Sequence, residues 1–215
     1  MFLLLPLMLV LYKFCYRKNK IFPFVCLGLI SSFVVCAVEM FFFYPHRIVP
    51  FSFAYNFIYF LVKECFLPAV VVYGVFFLIS KDTIEYKIDG IFPLEISFYM
   101  IFCPYTIINS SSGYMEPFSL FLKPIIYVAM FGAVEILARE MYKSIKSKVK
   151  IWMAAIYAVI ILVYLVGPAA IESLYLMNTK FWLSIILTLC YVAYPVTYEV
   201  LNVISKIKDD DVGLV

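Results

Sequence analysis

Charge is scarce in this chain. Only 14% of its 215 residues are Asp, Glu, Lys or Arg, while 66% are apolar; soluble domains run nearer about 25% and about 45–50%. A water-soluble fold of this size would expose more apolar surface than it could bury, which excludes a single soluble domain and a disordered chain alike. Histidine is nearly missing: there is one, His46, in YPHR. Zinc proteases need several His or carboxylate ligands at fixed spacing, usually HExxH, and serine hydrolases need a histidine base near GxSxG. Neither pattern occurs, and His46 reads as an interfacial loop residue. Glycine-rich phosphate loops and dinucleotide fingerprints are absent too. The six Cys form no CxxC and lie in or beside apolar runs, so they read as small core hydrophobes. No cofactor and no metal centre are expected, and any catalysis would have to run on carboxylates.

What is abundant is long apolar segments, with a mean hydropathy of +1.01. A helix needs roughly 20 apolar residues to cross about 30 Å of hydrocarbon. The pattern predicts seven spans, at about 1–16, 21–44, 52–79, 91–108, 118–138, 151–173 and 181–204. The first lacks a basic leader and a small-residue cleavage site, so it reads as a retained helix. Stretches such as IWMAAIYAVIILVYLV are apolar on every face, which fits a membrane helix and not the alternation of a barrel strand. The expected fold is all-α: one polytopic transmembrane bundle over residues 1–215.

Orientation follows from Lys and Arg, which favour the inner side. With the amino terminus outside, 13 of the 17 basic residues fall in inner segments, in clusters such as REMYKSIKSKVK. Only Arg47 and Lys180 fall outside, and Lys63 and Lys123 lie within spans. The expected topology is therefore N-out, C-in; the pattern fits a bacterial cytoplasmic membrane, the favoured setting, and would also fit a eukaryotic internal one. The basic clusters set topology and touch anionic lipid; no aromatic-interleaved basic surface accompanies them, so no nucleic-acid partner is expected. The loops are too short for a soluble catalytic domain, no internal repeat is visible, and Asp209, Asp210 and Asp211 read as a solvated end.

Ionisable groups inside a bilayer cost about 2.5–3.5 kcal/mol each on insertion scales, so each is a candidate for function. Lys63 and Glu64 sit mid-depth in FLVKECFLP. Neighbours on a helix point about 100° apart, so each needs a partner from another helix or a water-filled cavity. Glu39, Lys123 and Glu172 are the possible partners from the outer half, and Glu95 completes the expected cluster of buried charge. Glu95, Glu135 and Glu199 lie within a few turns of the inner surface, where snorkelling or pairing with inner lysines is cheap, so they read first as structural. Pro68 removes the backbone donor to the Glu64 carbonyl, predicting a kink there; Pro124 and Pro168 are similar weak points. The 22 Phe and 18 Tyr read as interfacial belt and lipid-facing bulk. No GxxxG occurs; Ala129 with Ala133 and Ala154 with Ala158 are the small-residue pairs.

The order of these features resembles the PrsW-type family of membrane-embedded proteases: a short first helix with a basic exit, a second ending near Glu39, a third with a charged pair, an inner loop closing on IDGI, and a basic stretch after FGAVEILARE. The family's third-span motif reads roughly Glu-Glu-x-x-Lys. Here Glu64 matches the second glutamate, Lys63 stands in place of the first and Leu67 in place of the lysine; Asp89 and Gly90 match its DG. Where the family carries later histidines, this chain has Pro124 and Gly167. The resemblance implies a PrsW-like membrane bundle in which Glu64 is the catalytic candidate. With the paired glutamate and the histidines replaced, it implies a catalytically inactive member that binds or scaffolds other membrane proteins. Two alternatives stand beside it: an active intramembrane endopeptidase with Glu64 as base and Glu39 or Glu95 nearby, and a small ion-coupled transporter using Glu64 and Lys63. The expected partners are the lipid bilayer and another membrane protein, as substrate or binding partner.

Overall fold

The structure, a computed structural model, describes residues 22–43, 52–79, 84–109, 118–147, 151–177 and 181–212. The first expected span, 1–16, lies outside the described residues, as do His46 and Arg47. All regular structure among the described residues is helical. Helix α1 is Phe22–Phe42; α2 is Phe53–Phe60, continued through a π-helical turn, Leu61–Phe66, into Leu67–Ile79. Helix α3 is Ile84–Ile108; α4, Lys123–Lys146, follows a second π-helical turn, Phe118–Leu122; α5 is Ile151–Leu176 and α6 is Phe181–Val212. Five segments are long and apolar enough to cross a membrane: Phe22–Phe42, Phe53–Phe76, Gly90–Ile108, Trp152–Leu176 and Trp182–Leu201. The protein is a multi-pass membrane protein. Helix α4 is not among the five; over its length it carries Lys123, Glu135, Arg139, Glu140, Lys143 and Lys146.

Two boundaries differ from the sequence pattern. Helix α3 begins at Ile84, so the part of the expected inner loop from Ile84 onward, which closes on IDGI, is helical instead. Helix α4 runs on to Lys146 through the basic stretch expected to be loop. In both places a charged segment lacks the apolarity that marks a span, yet still continues its helix by ordinary backbone hydrogen bonding.

Burial orders the helices. Of its apolar window, α3 has 72% buried inside the protein, against 28% for α5 and 17% for α6. Helices α3 and α4 are therefore the centre, with α1 packed on α3, α5 on α4, α2 spanning from α1 to α5, and α6 on the edge against α4 and α5. Helix α1 shows why: Phe24, Gly28, Ser31, Ser32, Val35 and Glu39 are its buried residues, a stripe at helical period. Gly28 lets this stripe close on α3, because a side chain there would overlap the Leu94 carbonyl and the Ser97 hydroxyl. Helices α5 and α6 face lipid with large apolar side chains, including Trp152, Leu162, Trp182 and Leu189. Trp152 and Trp182 stand at the starts of α5 and α6, both exposed.

Several hydroxyls inside the bundle are satisfied locally, as a bilayer favours. Ser97, Thr106, Ser173 and Thr188 donate to carbonyls three or four residues back, at 2.7–2.9 Å. Acids toward the carboxy-terminal end of α4 pair along the helix: Arg139 donates to Glu135 at 2.9 Å and Lys143 to Glu140 at 2.7 Å. Glu199 is exposed on α6.

Candidate functional site

Two π-helical turns, each just ahead of a proline, shape the site. In α2 the Leu67 N–H donates to the Val62 carbonyl, five residues back, so the turn is wider than an α-turn. Pro68 follows; its ring carries no N–H for the Glu64 carbonyl and crowds it, and widening the turn relieves that crowding. The consequence is lateral: Lys63, Glu64 and Cys65 are consecutive and all buried. Lys63 faces α1, Glu64 faces α4, and Cys65 packs with Phe60 and with Ala169 of α5. The second π turn, Phe118–Leu122, delivers Lys123 with Pro124 beside it.

Lys123 is the hub. Its Nζ lies 2.7 Å from Glu64 Oε2 and 3.1 Å from each carboxylate oxygen of Glu172 on α5. Tyr127, one turn along α4 on the same face, donates its hydroxyl to Glu64 Oε2 at 3.0 Å. The Glu64 and Glu172 carboxyl groups thus share one ammonium. The Tyr99 ring of α3 stacks on Tyr127 with centroids 4.7 Å apart, closing the site from behind.

Lys63 turns the other way. Its Nζ is 3.9 Å from Glu39 Oε2, and it sits over the Tyr59 ring, 5.5 Å from the centroid. Glu39 is 1% exposed, and neither of its oxygens accepts a hydrogen bond from a described residue. Glu39, Glu64 and Glu172 thus meet two ammonium groups, Lys63 and Lys123, in a region shielded from water. With all five ionised, one negative charge stays unbalanced where charge is costly to bury.

Of the residues expected from sequence, Glu39, Lys63, Glu64, Lys123 and Glu172 come together. The carboxylate that meets Glu64 is Glu172, from a distant span, with Glu39 on the side of Lys63. Glu95 sits elsewhere, at mid-length of α3, where the Tyr73 hydroxyl of α2 donates to its Oε1. It is joined to the cluster by a cavity: Glu64 and Tyr127 line one part, Glu95 and Tyr73 another, with Pro68 and Phe98 among the walls. The cavity offers about 30 Å³ to the centres of water-sized spheres, room for roughly two waters. Tyr73 and Tyr127 were not singled out from sequence. Tyr127 was legible, since it stands four residues after Lys123 and so shares its helix face; Tyr73 had no signal to separate it from interfacial tyrosines.

Among the described residues no group of three or more His, Cys, Asp and Glu side chains is placed to hold a metal ion. The positions matched to the family's histidines have other work. Pro124 follows the π turn, and Gly167 makes room for the Tyr191 ring, which its own side chain would otherwise meet. Tyr164 and Tyr191 donate their hydroxyls to each other's carbonyls across this contact, joining α5 to α6. Gly90, of the pair matched to the DG, lies against the Phe24 ring of α1. No protein-family model, curated protein or solved structure matches the chain, so the PrsW-like resemblance rests on its residue pattern.

Proposed function

We propose that this is a seven-span protein of a bacterial cytoplasmic membrane, N-out and C-in, which keeps a PrsW-like plan without proteolysis and acts by binding another membrane protein. The observation that carries the proposal is the Lys123 ammonium between Glu64 and Glu172. An endopeptidase needs its base beside a site that admits a peptide; Glu64 is 5% exposed, its Oε2 is held by Lys123 and Tyr127, and the cavity it lines has room for roughly two waters. The ion pairs then fix how α2, α4 and α5 stand, and the sparsely covered face of α6 is left for a partner helix.

The test compares membrane proteomes and co-purified proteins from cells with wild type, Glu64→Gln or no copy. The expected result is a partner that co-purifies with wild type and Glu64→Gln alike, with no new cleavage products. A membrane protein that accumulates uncut in both the Glu64→Gln strain and the deletion would establish the endopeptidase reading instead.

The surplus carboxylate favours a second reading, an ion-coupled carrier. Three acids against two lysines near mid-bilayer leave one site for a mobile positive charge, which is the element a coupled transporter needs.

A further inference from the structure

We propose that the mobile charge is a proton, and that it passes between the Glu64–Glu172 pair and Glu95 through water in the cavity that both sites line. The proposal rests on the ion-coupled reading and names its ion.

The geometry of the two ends matches. Tyr127 holds one Glu64 oxygen and Tyr73 holds one Glu95 oxygen, so each carboxyl is oriented by a tyrosine hydroxyl at the edge of the same cavity. The walls between are Ala69, Val72 and Met130 with aromatic rings, which leave room for roughly two waters. A chain of that length relays a proton with each water accepting one and donating one. A metal cation is disfavoured, since the Lys123 ammonium already occupies the acidic face of Glu64. That the cluster is short of positive charge has an independent sign in Glu39, whose oxygens accept no hydrogen bond from described residues.

The step balances. The proton begins on Glu172 and passes to Glu64; the Glu64 O–H bond then breaks toward a cavity water, and the last water delivers a proton to a Glu95 carboxylate oxygen. Glu64 is again ionised against Lys123, Glu172 is left ionised, Glu95 becomes a neutral acid, and one unit of negative charge has moved from α3 to α5. The groups that act on Glu64 are Lys63 on its own helix, Lys123 and Tyr127 of α4, Glu172 of α5, Glu39 of α1 and Tyr99 of α3. Glu95 is faced by the Tyr73 hydroxyl of α2, and its charge reaches Tyr191 of α6.

The experiment is infrared spectroscopy of the purified full chain in lipid nanodiscs, following the carbonyl stretch of protonated carboxyl groups as the buffer is exchanged from H₂O to D₂O. Wild type should show a buried carboxylic-acid band that is lost or shifted in Glu64→Gln and in Glu172→Gln. Its exchange should slow at least tenfold in Ala69→Leu, which fills the cavity without altering charge, and in Glu95→Gln. Tyr73→Phe, a milder change, should slow it less. Absence of the band from folded wild type, or unchanged exchange in both Ala69→Leu and Glu95→Gln, would overturn the proposal. The carrier reading fails separately: liposomes under a valinomycin potassium potential would then take up no protons, while the band and its exchange behave as stated.

Discussion

Lys123 Nζ on α4 lies 2.7 Å from Glu64 Oε2 on α2, and each side chain is only 4% exposed. Removing one partner of such a pair leaves an uncompensated buried charge, which costs about 3–5 kcal/mol, more than the pair itself contributes over apolar replacements. Lys123→Met should therefore destabilise the protein by about that amount, read as a lower midpoint for unfolding in mixed micelles. Adding Glu64→Gln and Glu172→Gln removes the stranded charge and should restore most of the loss. A single Lys123→Met variant as stable as wild type would show that the three groups are not in contact.

Tyr127 tests the same cluster through a neutral group. Its hydroxyl donates to a charged acceptor, a bond whose loss costs about 1.5–3 kcal/mol. Tyr127→Phe should lower stability by that range in wild type and by much less on a Glu64→Gln background, where the acceptor is neutral. Equal losses on both backgrounds would place the hydroxyl's partner elsewhere.

The ion pair at the carboxy-terminal end of α4 should behave otherwise. Lys143 is 60% exposed beside Glu140, and exposed pairs three residues apart are worth a few tenths of a kcal/mol. Lys143→Ala should shift stability by less than about 0.5 kcal/mol, measured by the same unfolding assay at low and high salt. A larger loss would mean that Lys143 also holds something beyond Glu140.

Much of this was legible from composition. Apolar length marked the helices, and the rarity of charge singled out Lys63, Glu64, Lys123 and Glu172 before any geometry was known. What the linear pattern could not carry was direction. The π turn at Leu61–Phe66 rotates its successors off the α-helical period, so helical-wheel reasoning could not tell that Lys63 meets α1 while Glu64 meets α4. Pro68 announced a distortion, not its form. Pairing of Glu64 with Glu172 depends on α5 standing beside α2, a tertiary fact with no local signature. Nothing local marked α3 as the centre: Pro93, Pro104 and Glu95 all lie inside it, yet it is the most buried of the five.

The approach of α1 to α3 gives the sharpest steric test. A Cβ at Gly28 would overlap the Leu94 carbonyl and the Ser97 hydroxyl and stand 3.0 Å from the Phe98 nitrogen. Two of those atoms are backbone, and the hydroxyl is tied to the same carbonyl at 2.9 Å, so no flexible side chain can yield. The helices must part, and overpacking of this kind costs about 1–3 kcal/mol. Gly28→Ala should therefore destabilise although alanine is the better helix former. Gly74 supplies the contrast, since a Cβ there meets nothing within 4 Å; Gly74→Ala should stabilise by up to about 1 kcal/mol through helix propensity alone. Parallel unfolding of the two variants should give opposite signs. If both stabilise, α1 is not seated on α3 at Gly28, and the stripe from Phe24 to Glu39 that carries Glu39 toward Lys63 loses its support.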